Sequence, residues 1–302
     1  MKDVIIYIIS SVVVFVFGVK ILTYSLNELY NQKINYIFKK YINSDLTALI
    51  LGIVATAVCQ SSNAITIITL ALINAQYISF RKGLMIILGS NIGTTVTTFL
   101  FSFNFNILIP CFLLLGLHYF LKEDKRNYGF LFIGFGIIFY SLNVLSDNFS
   151  IILNEEYIYN FINKFNSSTF FSFLSGIFFS ALIQSSSASI GIVQKLCSEN
   201  VLIFNSSICF MLGANIGTTL TGFIASLACD KKTKQVATIN LLLNIVTAYI
   251  FYLFNYNFCS TVNYIGDILR LNIMAKIALS HFIYNTLSVI GFLLLYKIKK
   301  VD

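Results

Sequence analysis

Gln60-Ser61-Ser62-Asn63-Ala64, followed by Gly89-Ser90-Asn91-Ile92-Gly93-Thr94-Thr95, is a polar cassette that returns later in the chain. Its second copy reads Gln184-Ser185-Ser186-Ser187-Ala188 and then Gly213-Ala214-Asn215-Ile216-Gly217-Thr218-Thr219. The Gln and the first Gly are 29 positions apart in both copies, so matched positions are all displaced by 124. Gly52 and Gly176, Ala57 and Ala181, and Thr97 and Thr221 share that displacement. A gap-free match of this kind is an internal duplication. In so apolar a chain, two matched polar interruptions point to a transporter whose site lies between two repeats.

Composition places the chain in a lipid bilayer. It is 57% hydrophobic and 11% charged, with a mean hydropathy of +0.83, whereas soluble domains carry about 25% charged residues. Several runs reach the roughly 20 apolar residues that a spanning helix needs. The expectation is an all-α polytopic protein of the cell membrane. Only Pro110 is proline, so breaks must come from glycine and polar clusters. The net charge of +8 sits mostly between apolar runs, as positive-inside anchors do. No basic face remains for nucleic acid, and no nucleic-acid partner is expected. The six cysteines include no C-x-x-C pair and fall mostly in apolar runs, as small buried hydrophobes do. The first apolar run lacks a small-residue cleavage site and is expected to be a retained span.

One transport domain, 1–302, is expected, with repeats at 4–121 and 128–296, the second carrying two further helices. Residues 4–26 read as a span interrupted only by Lys20, and 27–45 as a helix lying at the interface. Residues 46–78 are two apolar arms around Gln60. The first arm has about 14 residues, roughly 21 Å of helix, and is too short to cross. A re-entrant hairpin with Gln60-Ser61-Ser62 at its tip follows, and 169–198 repeats it around Gln184. Spans are expected at 83–103, 106–121, 128–146, 201–228, 237–256 and 272–296. With the loops at 122–126 and 231–234 and the tail at 297–300 in the cytoplasm, hairpin one, flanked by Lys33, Lys39, Lys40, Arg81 and Lys82, enters from inside. Hairpin two, flanked by Glu155 and Glu156, enters from outside. Three crossings separate the repeat starts, so the copies are expected to be inverted.

Amide and hydroxyl groups deep in a membrane must be satisfied by one another, by water or by ligand. Serines that open a helix arm add backbone N–H groups and the positive end of the helix dipole, a cradle for an oxyanion. Their oxygens, with freed carbonyls, also suit Na⁺. Helix capping or interhelical bonding is the plainer alternative. In the Asn-Ile-Gly-Thr-Thr segments the glycines allow unwinding or close packing beside the threonine hydroxyls. None of the 12 acidic residues lies in either cassette, which argues against a carboxylate proton relay. No Lys or Arg lies in a cassette core either, so bound cations and a bound anion are expected to neutralise one another. Ala237-x-x-Asn240-x-x-x-Asn244 and Ala278-x-x-His281-x-x-x-Asn285 each put two polar residues on one helix face, for bracing or for ligand. No P-loop, zincin or deaminase pattern and no nucleophile–base pair occurs, so an enzyme is not expected.

The doubled Gln-Ser-Ser and Asn-Ile-Gly-Thr-Thr motifs and the later Ala-x-x-His-x-x-x-Asn helix resemble the type II sodium–phosphate cotransporter family in its bacterial form, over about residues 10–296. The resemblance implies Na⁺-driven import of inorganic phosphate by alternating access, without an organic cofactor. It implies phosphate and sodium contacts at Gln60, Ser61, Ser62, Asn63, Gln184, Ser185, Ser186 and Ser187. Asn91, Thr94, Thr95, Asn215, Thr218 and Thr219 would serve the sodium side or unwound segments, with Asn240, Asn244, His281 and Asn285 in support. Asn63 replaces the third Ser of copy one, and Asn240 stands where the family usually has His. The sequence ends at Asp302 without the regulatory domain that many bacterial relatives carry, so control through such a domain is not expected. Transport of another oxyanion, a passive anion channel and a non-transporting membrane scaffold are the alternatives.

Overall fold

The computed structural model describes residues 2–41, 44–103, 106–152 and 156–298. Among the described residues every regular element is a helix, and no strand occurs. Helix α1 (Lys2–Tyr41) leads into a hairpin of α2 (Asp45–Cys59) and α3 (Ser62–Asn74), then α4 (Phe80–Phe101) and α5 (Ile109–Phe120). After α6 (Arg126–Ile152) and α7 (Glu156–Ser167) comes a second hairpin, α8 (Thr169–Ile183) and α9 (Ser186–Ser198), followed by α10 (Phe204–Ser226). Helices α11 (Lys231–Leu253), α12 (Asn255–Ile268) and α13 (Ile273–Ile298) complete the bundle.

The displacement of 124 seen in the cassettes also relates the helix ends. Asp45–Cys59 maps onto Thr169–Ile183, and Ser62–Asn74 onto Ser186–Ser198. Both first arms end in a left-handed glutamine, Gln60 at φ 53° and Gln184 at φ 60°. Both second arms open on an extended serine, Ser61 or Ser185, and left-handed Gln76 and Asn200 follow them.

Each first arm packs backbone to backbone on the long helix of its own copy. A Cβ added at Gly52 would strike the Ile86 carbonyl of α4, and one at Gly89 would strike the Leu49 carbonyl of α2. Gly176 against Phe210 and Gly213 against Phe173 reproduce the pair between α8 and α10. Close approach of this kind is what small residues permit between helices in lipid, where no hydrophobic force drives association.

Among the described residues six helical segments contain windows long and apolar enough to span: Ile9–Leu26, Phe80–Phe101, Glu123–Val144, Phe204–Ser226, Lys231–Leu253 and Ile273–Leu295. The hairpin arms, at 15 and 13 residues, are only about 22 and 20 Å long against a hydrocarbon core of about 30 Å.

Four expectations are corrected. First, among the described residues no separate helix lies at 27–45. Helix α1 continues to Tyr41, because residues 27–41 hold neither Pro nor Gly to stop it. Second, α4 and α10 are not broken at Asn-Ile-Gly-Thr-Thr. The glycines serve packing instead of unwinding, and the threonine hydroxyls donate to carbonyls of their own helix. Third, 106–121 is no full span but a 3₁₀ turn, Asn106–Leu108, and the 12-residue α5. Fourth, α12 fills part of the interval left open between 256 and 272. Helix α7 meets α8 at 110°. The side chains of Lys33, Lys39, Lys40, Glu155, Glu156, Lys297, Lys299 and Lys300 lie outside the described residues.

The glycine contacts make a direct prediction. Gly89→Ala and Gly213→Ala each lower stability by about 2 kcal/mol or more, through forced separation of packed backbones. Gly291, with nothing within 4 Å of an added Cβ, tolerates Ala or gains up to about 1 kcal/mol from helix propensity. Thermal unfolding in detergent measures all three, and equal melting temperatures would contradict the packing account.

Candidate functional site

The left-handed glutamine at each tip turns the chain so that the second arm starts inside the bundle. Ser61 Oγ accepts from the Ala64 N–H at 3.2 Å, and Ser185 Oγ from the Ala188 N–H at 3.2 Å. The capping role weighed for these serines is therefore present at both tips. A cap satisfies only one of the orphan donors in a first helical turn, so further N–H groups of α3 and α9 face whatever lies beyond the tip.

The two tips meet. One cavity of about 410 Å³ is lined by Gln60, Ser61, Ser62, Asn63 and Ala64 from the first hairpin and by Gln184, Ser185, Ser187 and Ala188 from the second. Its third wall is α1, through Val16, Val19, Lys20, Thr23 and Tyr24. Ser186 is buried behind the tip and does not line it. The cavity therefore joins two sets of neutral amide and hydroxyl groups, with two helix N-termini at one place. Lys20 supplies its one charged side chain. The Gln60 Nε2 donates to the Ala57 carbonyl, while its buried Oε1 has no protein partner among the described residues.

A second, much smaller cleft of about 20 Å³ adjoins the first tip. Ser62, Asn63, Thr66, Asn91, Thr218, Thr219 and Asn240 bring oxygen-bearing side chains to it from α3, α4, α10 and α11. Asn63 lines both spaces, and its Oδ1 accepts from Thr221 Oγ1 at 2.9 Å. Ser187, its counterpart at the second tip, instead lies 3.3 Å from Ser185 Oγ. The replacement of Ser by Asn in copy one thus ties that tip to the helix of the other copy.

Of the six residues considered for sodium, Asn91, Thr218 and Thr219 line the small cleft, whereas Thr94, Thr95 and Asn215 do not. The two asparagines are docked on the C-terminal helices in parallel fashion. Asn91 Nδ2 donates to Asn240 Oδ1 at 2.9 Å, and His281 Nε2 meets Asn215 Oδ1 at 3.0 Å. Asn215 Nδ2 donates to the Met211 carbonyl, which turns its Oδ1 toward His281 and requires the ring proton on Nε2. His281 Nδ1 lies 3.3 Å from Thr98 Oγ1, whose proton goes to the Thr95 carbonyl at 2.8 Å. Asn244 and Asn285 donate to the carbonyls four residues back, and Tyr284 Oη donates to the Asn244 carbonyl at 3.2 Å. All four supporting residues are buried; Asn244, His281 and Asn285 bond to groups within the bundle, while Asn240 also lines the small cleft.

Several participants escaped sequence reasoning. Thr23 and Tyr24 carry no motif. Gln194 is fully buried and donates to the carbonyls of Thr98 and Met274, bridging α4 to α13. Lys20 did leave a signal, as the lone charge in the first apolar run.

The bracing makes its own prediction. Asn215→Leu leaves the buried His281 Nε2 proton without an acceptor and costs about 1–3 kcal/mol. The double variant Asn215→Leu with His281→Leu recovers part of that loss. Chemical or thermal unfolding of the pair and the two singles reads the coupling, and strict additivity would exclude it.

Comparison with known proteins adds lineage to this geometry. A family model described as "Na+/Pi-cotransporter" matches residues 14–147 and 152–294. An uncharacterized protein of Bacillus subtilis (strain 168), YqeW, is 29% identical over 234 residues, covering 77% of this chain and 76% of that protein. YjbB of Escherichia coli (strain K12), named as a candidate inorganic phosphate export protein, is 23% identical over 243 residues. That match covers 80% of this chain and 45% of YjbB, so the chain spans under half the length of that relative. No solved structure matches at a significant level.

Proposed function

The chain belongs to the Na⁺/Pi-cotransporter family, and from that premise we propose that it is a Na⁺-coupled secondary transporter importing inorganic phosphate through the cell membrane by alternating access. The observation that carries the reading is the single cavity shared by the Gln60 and Gln184 tips. Phosphate is an acceptor of hydrogen bonds on every oxygen. The cavity offers it the hydroxyls of Ser61, Ser62, Ser185 and Ser187, the amides of Gln60 and Gln184, and first-turn N–H groups of α3 and α9. The molecule is moved, not changed.

Sodium has a natural place in the small cleft. Its lining is neutral and rich in oxygen, which suits a hard monovalent cation, and Ser62 and Asn63 line both spaces. A cation there would share Ser62 and Asn63 with the anion's cavity, so each would strengthen the other's binding by the same factor. An inward Na⁺ gradient then drives phosphate inward. The division into repeats 4–121 and 128–296 belongs to the same proposal and is supported by the matched helix ends; their inversion requires the 3₁₀ turn and α5 together to complete the third crossing. Rocking of one copy against the other around the shared cavity would expose it to each side in turn.

Export is the second reading, favoured by the printed name of the E. coli relative. Labelled phosphate flux in proteoliposomes, with Na⁺ imposed on one side or the other, separates the two. Import predicts accumulation only with an inward Na⁺ gradient. Flux indifferent to Na⁺ would overturn the coupling.

Ser61→Ala combined with Ser185→Ala should reduce flux by about tenfold or more, since two ligand hydroxyls are lost at the anion. Each lost cap also costs about 1 kcal/mol of helix stability. The double variant should nevertheless remain folded, as thermal unfolding will show. A folded double variant with unaltered flux would remove the tips from the transport site.

A further inference from the structure

We propose that Lys20 of α1 is the fixed counter-charge of the anion cavity, a specificity-determining contact that the two neutral tips cannot supply. The inference rests on the phosphate reading above and extends it to a residue outside both cassettes.

Position is the first argument. In the other spanning windows, charged residues occur only within the first four positions or not at all. Lys20 alone stands inside a window, Ile9–Leu26, six residues from its nearer end. Six residues are about 9 Å of helix. A lysine there is costly in hydrocarbon and is retained where it meets water, a ligand or an opposite charge.

Direction is the second. Val16, Val19, Lys20, Thr23 and Tyr24 line the cavity at spacings of three and four residues, which is one face of α1. Lys20 lies at the middle of that face. It borders the space between the tips.

The third is the lack of a partner. The ion pairs among the described residues are Arg81 with Asp45, Lys195 with Glu199 and Lys276 with Asp267. Lys20 takes part in none, and no other charged side chain lines the cavity. An uncompensated cation facing hydroxyls, amides and two positive helix ends selects for a negative occupant. Attraction to the anion is what makes the arrangement electrically sensible.

The duplication sharpens the point. At the displacement of 124, position 20 corresponds to Val144. The charge therefore belongs to one copy only, and it breaks the near symmetry of the binding groups.

The test uses the full-length protein in proteoliposomes, with labelled inorganic phosphate counterflow at saturating Na⁺. Counterflow reads binding and exchange whichever direction net transport takes. Lys20→Gln and Lys20→Met should raise the phosphate KM about tenfold, with the maximal rate changed far less. Lys20→Arg should bring KM back to within about threefold of the starting protein, since it restores charge though not shape. Lys20 is exposed, so neither neutral variant opens a packed core, and thermal unfolding verifies that they fold. If the starting protein exchanges phosphate and both neutral variants keep its KM, Lys20 is a snorkelling anchor and the assignment is overturned alone. If the starting protein exchanges no phosphate, the assignment falls together with the phosphate reading.

Discussion

A helix of 15 residues cannot cross a membrane. That shortfall, set against a hydrocarbon core about 30 Å thick, is the constraint from which the rest of the architecture follows. An arm that ends early leaves carbonyls, amides and hydroxyls where lipid cannot satisfy them. The chain answers with a left-handed glutamine that closes the first arm and a serine that caps the second. A non-glycine residue in that backbone region costs about 1 kcal/mol or more. Both tips bear the cost because the arms are clamped to α4 and α10 through reciprocal glycines. The clamp determines where the tips fall, and where they fall they share a cavity.

The duplication is close in backbone and loose in chemistry. The ends of the hairpin helices repeat residue for residue, yet Asn63 reaches across to Thr221 whereas Ser187 stays beside Ser185. Asn91 is docked on Asn240, and Asn215 on His281. Such differences give the two halves unequal side chains around one shared space.

The hairpins were legible because a gap-free repeat ties two stretches to one backbone solution. Gln60 and Gln184 could be placed at tips from arm length alone. The all-α membrane class was legible from composition. What sequence reasoning could not supply was the meeting of segments. That α1 walls the cavity depends on helix packing, which leaves no trace around Thr23 or Tyr24 and at Lys20 only a lone charge in an apolar run. The expected breaks in α4 and α10 came from reading Gly-Thr-Thr as an unwinding signal. In the fold, each threonine bonds back to its own helix and each glycine accommodates a neighbouring carbonyl. The continuation of α1 to Tyr41 was hidden because a polar composition suggested an end where no breaker residue stands.

A site built of neutral groups and a single lysine binds an anion only if the tips hold their donors around it. The most direct test is a cryo-EM map of the protein in lipid nanodiscs with Na⁺ and phosphate both present. The account predicts tetrahedral density in the cavity between Ser61 and Ser185, within hydrogen-bond reach of both hydroxyls. Density at another place in the bundle, or a cavity that stays empty in saturating phosphate while the tips keep their positions, would contradict it.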